Sequence, residues 1–111
     1  MNLKESIKFN SKEFLSLCKS HDVKVLYAFG SSINDKFKEE SSDIDLLVEI
    51  NTIDPIKRGE NLLDLWDKFE KFFQRKVDLL TNSSIRNPIL RKSIDSSKIL
   101  IYDGEEQKVS F

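Results

Sequence analysis

The segment SSDIDLLVEI, residues 41–50, restricts the fold more than any other part of the chain. Asp43 and Asp45 stand one residue apart at the head of an apolar run, although Asp is disfavoured in strands. Side chains alternate across a strand, so the two carboxylates face one way while Ile44, Leu46, Val48 and Ile50 face the other. The apolar face can pack on helices and leave both carboxylates on the opposite face. Two unit charges ~4 Å apart at an effective dielectric near ~20 repel by about 4 kcal/mol, so such a pair, away from bulk water, needs a cation or a shared proton. A divalent metal is the simplest remedy.

The same arrangement returns in VDLL, where Asp78 sits near the start of a short apolar strand with Val77 and Leu79 facing away from it. If the two strands are neighbours, Asp43, Asp45 and Asp78 converge. Hard oxygen ligands of this kind suit Mg²⁺, which takes one or two carboxylates per ion and completes its shell with water and substrate phosphate. Two ions sharing these ligands form a clamp for in-line phosphoryl or nucleotidyl displacement. Upstream, FGSS closes a β-branched and aromatic run, VKVLYAF, residues 23–29. Gly30 permits a tight turn, and Ser31 and Ser32 offer donors at the start of a short helix or turn, where a phosphate fits.

The remaining pattern alternates helices with strands. A first helix is expected over Lys12 to His21, with Ser11 as its N-cap and Phe14, Leu17 and Cys18 inward; an earlier turn carries Leu3 and Ile7. Strands are expected at Val23 to Phe29, Asp43 to Ile50, Lys76 to Thr81 and within KILIYD. Pro55 opens the strongest helix, in which Leu62, Leu63, Trp66, Phe69, Phe72 and Phe73 recur at helical spacing as its sheet-facing side. A further helix is expected around Asn87 to Ser93. This order predicts an α/β (α+β) structure, a mixed sheet of about four strands with helices mainly on one face. The tail GEEQKVSF carries no readable signal.

At 111 residues the chain has room for one domain, 1–111. Its 18 basic and 19 acidic residues are scattered, without the basic stripe that tracks a nucleic-acid backbone. Direct nucleic-acid binding and membrane insertion are not expected, and a cytoplasmic location is. Cys18, the only cysteine, reads as a small core residue, and His21, the only histidine, as a complement to a helix carboxyl end. Zinc sites and Ser-His or Cys-His catalysis are thereby set aside.

Taken in order, FGSS, SDIDLLVEI and VDLL make residues 23–80 resemble the DNA polymerase β-like nucleotidyltransferase superfamily, and the short chain resembles its minimal nucleotidyltransferases. That resemblance implies a polymerase β-like fold, with Gly30, Ser31 and Ser32 on the triphosphate, and with Asp43, Asp45 and Asp78 holding Mg²⁺, two ions in all, and activating the attacking hydroxyl. It also implies transfer of AMP from ATP to a hydroxyl, a tyrosine, of a HEPN-domain ribonuclease toxin that the chain neutralises as antitoxin. The alternative is an antitoxin that masks its partner by contact alone. Residues 33–36, Ile-Asn-Asp-Lys, replace the Ala-Arg-Gly that often follows the GS pair, and Lys36 and Lys38 read as solvated loop charges rather than substitutes for that Arg. The adjacent Phe72 and Phe73 leave a homodimer or hetero-oligomer open.

Overall fold

A computed structural model describes residues 3–30 and 43–110. Helices α1 (Leu3–Phe9) and α2 (Ser11–Ser20) lead into strand β1 (Val23–Phe29). Next come β2 (Ile44–Ile50), the long helix α3 (Pro55–Phe73), β3 (Val77–Leu80), a 3-10 turn at Asn82–Ser84, α4 (Pro88–Ser97), β4 (Ile99–Asp103) and β5 (Lys108–Val109). The segment between β1 and β2, expected as a short helix or turn, lies outside the described residues. Among the described residues, no helix is long and apolar enough to cross a membrane.

Five strands form one mixed sheet among the described residues, in the order β3-β2-β1-β4-β5. Only the β2–β3 pair is parallel; β1–β2, β1–β4 and β4–β5 are antiparallel. Parallel neighbours need a crossover, and α3 supplies it. Asp54 caps that helix by accepting from the Ile56 N–H at 3.0 Å, Pro55 occupies the first turn, and Gln74 ends it in the left-handed region at φ 54°.

The apolar side of β2 behaves as the alternation requires. Ile44, Leu46 and Val48 join Leu26, Ala28, Val77, Leu79 and Ile101 beneath α1, α2 and α3, in a core that includes Leu3, Ile7, Phe14, Cys18, Leu65, Phe69 and Phe73. Phe14 stacks on Phe69 with centroids 5.8 Å apart, and Phe72 meets Phe73 edge-on at 5.0 Å, so this pair is used within the chain's own packing. The opposite face is covered only in part: Phe29, Leu47, Ile85 and Ile94 make a smaller cluster under α4. Burial pushes the Cys18 thiol up to about 12, consistent with an inert core residue. His21 closes α2 as read, with Nδ1 2.7 Å from the Leu17 carbonyl oxygen, while Nε2 lies 2.6 Å from Asp64 of α3.

Three expectations need correction. Asn10, not Ser11, takes the N-cap position of α2, because α1 runs to Phe9 and leaves a single residue between the helices; Ser11 is already helical. On α3, Leu63 is 66% exposed, and the buried position belongs to Leu65. At 100° per residue Leu62, Leu65, Phe69 and Phe73 share a side, and Leu63 turns off it. Finally, the tail contributes a fifth strand: Tyr102 pairs with Val109 and Asp103 with Lys108, and the Ser110 N–H donates to the Ile101 carbonyl at 2.9 Å.

Candidate active site

The parallel β2–β3 register sets Asp45 directly beside Asp78, between the pairs Ile44–Val77 and Leu46–Leu79. Cross-strand partners point to the same face, so Asp45 and Asp78 share the side opposite the main core. Their carboxyl groups therefore lie side by side on one face. Asp45 is pushed up to about 6, first by burial, then by the charges of Asp78 and Asp43 and by hydrogen bonding with Asp78. Asp43, half-buried, immediately precedes β2 and by alternation faces the same way as Asp45.

Gly30 closes this corner from β1. Phe29 is the antiparallel partner of Asp45, and the chain leaves β1 at Gly30 with φ +67°. A Cβ at Gly30 would lie 2.6 Å from Asp45 Oδ2. Glycine is therefore required twice, by the left-handed backbone and by the approach of that backbone to a carboxylate. Ser31 and Ser32, with Lys36 and Lys38, lie outside the described residues.

The entrance to β3 is held by two α3 side chains that sequence periodicity does not single out as site-related. Trp66 Nε1–H donates to the Val77 carbonyl at 2.6 Å, and the Val77 N–H donates to Glu70 Oε2 at 3.0 Å. The Ile44 N–H also donates to the Lys76 carbonyl at 3.0 Å. These bonds fix the heads of β2 and β3 relative to each other and thereby set the two aspartates level. Trp66 reads from sequence as part of the aromatic stripe; no local signal marks its indole N–H as the anchor of the residue before Asp78.

The arrangement supplies a cross-strand carboxylate pair, a third carboxylate felt through its charge, and a glycine backbone against Asp45. Among the described residues, no group of three or more His, Cys, Asp or Glu side chains is arranged to hold a metal ion by itself. A pair of carboxylates with a third nearby is still the donor set of an ion that draws its remaining ligands from water and phosphate. The raised Asp45 group has burial as its first cause and the neighbouring negative charges as its second, both of which a bound cation would offset.

The polymerase beta nucleotidyltransferase family matches residues 12–107. A protein of Methanocaldococcus jannaschii, named as a candidate protein adenylyltransferase, is 34% identical over 99 residues, covering 89% of this chain and 94% of its own. A solved structure described as a candidate minimal nucleotidyltransferase aligns at TM-score 0.59 with 28% identity, over 89% of this chain and 95% of that one. The fold is also similar to a chain from a Shewanella oneidensis complex of a tri-AMPylated HEPN toxin with an MNT antitoxin, at TM-score 0.50 and 20% identity, over 89% and 74% of the two chains.

Proposed function

This chain belongs to the polymerase beta nucleotidyltransferase family, and from that premise we propose that it transfers AMP from ATP to a tyrosine hydroxyl of a HEPN-domain toxin, acting as its antitoxin in the cytoplasm. The observation that carries this reading is the register that sets Asp45 level with Asp78 across β2 and β3, with the Gly30 backbone against Asp45. The name of the M. jannaschii relative supports protein adenylylation, and the AMP-modified toxin of the Shewanella complex supports the class of acceptor.

Asp43, Asp45 and Asp78 would hold Mg²⁺, two ions by family resemblance, and Gly30 with Ser31 and Ser32 would hold the triphosphate. Bound there, the metal would neutralise phosphate charge and lower the pKa of the attacking hydroxyl. Gly30 lets the phosphates approach the main chain without a side chain in the way. Asp78 accepts the hydroxyl proton as the acceptor oxygen bonds to the α-phosphorus, and the bond from that phosphorus to pyrophosphate breaks on the opposite side. Catalysis of this kind rests on positioning and charge neutralisation.

The test is label transfer from α-labelled ATP to the copurified native partner in the presence of Mg²⁺, followed by mass measurement of the modified residue. Asp43→Asn is expected to cut transfer by about a hundredfold or more, the scale of losing one group that stabilises transition-state charge. Undiminished transfer in that variant overturns the metal-ligand role. A tight complex with no transfer by the wild-type protein overturns the enzymatic reading in favour of contact masking.

A further inference from the structure

We infer that Lys98 is an additional substrate-binding residue, holding the β- and γ-phosphates from the side of Gly30 opposite the carboxylates; this rests on the nucleotidyltransferase reading above. The argument begins with register. Asp78 lies beside Asp45, and Asp45 beside Phe29. On the other flank of β1, Ala28 pairs with Ile99 and Tyr27 with Leu100, so the residue before Ile99 comes level with Phe29. One row therefore crosses the sheet as Asp78, Asp45, Phe29, Lys98. At about 4.8 Å per strand, Lys98 starts roughly 10 Å from Asp45, with Gly30 leaving β1 between them.

Its direction follows from the alternation of β4. Ile99 and Ile101 pack into the helix-covered core, so Leu100 and Lys98 face the carboxylate side. The side chain bears this out: Lys98 Nζ lies 4.6 Å from the centroid of the Tyr27 ring, and Tyr27 is the cross-strand partner of Leu47, which faces the same way as Asp45. Phe29, buried with Leu47, Ile85 and Ile94 under α4, fills the row between Asp45 and Lys98. A polyphosphate would therefore lie past the end of β1 at Gly30, with the aspartates on one side and, once Lys98 swings from Tyr27 towards that end, an ammonium on the other.

The chemistry of the ligand asks for that charge. The β- and γ-phosphates carry most of the negative charge of a nucleoside triphosphate, and pyrophosphate must be stabilised as it leaves. Lys98 can turn to them at small cost. Its ion-pair partner, Asp95 Oδ1 at 3.2 Å, lies one turn away with the carboxylate side chain 46% exposed, and such pairs contribute little. Its stem is long and flexible, and its head is a point charge suited to phosphate.

Equilibrium binding of Mg·ATP, pyrophosphate and AMP to the full chain separates this role from a merely structural one. Lys98→Gln is expected to weaken ATP and pyrophosphate by about tenfold or more while leaving AMP within about twofold, and Lys98→Arg to recover most of the loss. In transfer assays the same Gln variant raises KM for ATP more than it lowers kcat. Lys98→Met, which keeps the aliphatic stem over Tyr27, carries the comparison if circular dichroism shows that the Gln variant does not fold. Unchanged ATP and pyrophosphate affinity, or AMP weakened as much as ATP, overturns the assignment alone. Wild-type protein that binds neither ATP nor pyrophosphate overturns the nucleotidyltransferase reading and this assignment with it.

Discussion

Replacing Asp45 by Asn should make the metal-free protein more stable while destroying its activity. The folded state raises the Asp45 carboxyl from 3.8 to about 6, with burial the largest cause and the charges of Asp78 and Asp43 next. That rise corresponds to roughly 3 kcal/mol between the two protonation states. The site is half open to water, and screening reduces the realisable amount to about 1–2 kcal/mol. The sign follows from proton binding: between about pH 4 and pH 6 the folded state holds more protons than the unfolded chain, so stability falls as pH rises through that window. Above it the full deficit is present. Asn cannot ionise, is close in shape, and can donate to Asp78, so it escapes this penalty. In EDTA at pH 8, Asp45→Asn is expected to melt about 4–8 °C above wild type, at about 4 °C per kcal/mol for a domain of this length. The difference should shrink towards zero at pH 4, where Asp45 is protonated. Added Mg²⁺ should favour wild type and narrow the gap at pH 8. Thermal denaturation followed by circular dichroism at the two pH values, with and without Mg²⁺, checks all of this. A variant equal to or less stable than wild type at pH 8 in EDTA would refute the view that the carboxylates are held together against their charge.

Gly30→Ala should cost about 1–2 kcal/mol from the left-handed backbone, measured by urea denaturation, and should reduce AMP transfer at least about tenfold, because its Cβ would lie 2.6 Å from Asp45 Oδ2. Trp66→Phe keeps an aromatic ring in the core but strips the Val77 carbonyl of its 2.6 Å donor; a loss of about 1–3 kcal/mol is expected, with faster amide exchange through β3 by hydrogen-exchange measurement. Unaltered protection in β3 would show that the indole does not anchor the strand.

Much of the architecture was legible because it is written in local periodicity. Val23–Phe29 reads as a strand to the residue, and Pro55 marks the first residue of α3, since a β-branched and aromatic run ending in Gly and a Pro after Asp are strong local signals. The alternation in β2 also foretold which of its side chains pack beneath the helices. Elsewhere the local signal was ambiguous. Leu63 and Leu65 are equally apolar, and which one is buried depends on where the sheet lies relative to α3. The two residues of β5 have no pattern of their own; they become a strand because β4 presents an unpaired edge to a chain that turns back beside it.

The order of residues along the chain determined that Asp43 and Asp45 would share a strand face, that Asp78 would begin another strand, and that one helix would join the two, because each of these follows from periods of two and 3.6. It could not determine that β2 and β3 are parallel neighbours in a register that sets Asp45 level with Asp78, that Gly30 comes up against Asp45, or that Lys98 lies across β1 from them. Those relations join residues far apart in sequence: the first is settled by how α3 packs and how Trp66 and Glu70 hold Val77, the other two by the antiparallel pairing of β1 with β2 and with β4. The individual strands are products of local chemistry, whereas the charge cluster exists only where two of them, β2 and β3, lie side by side.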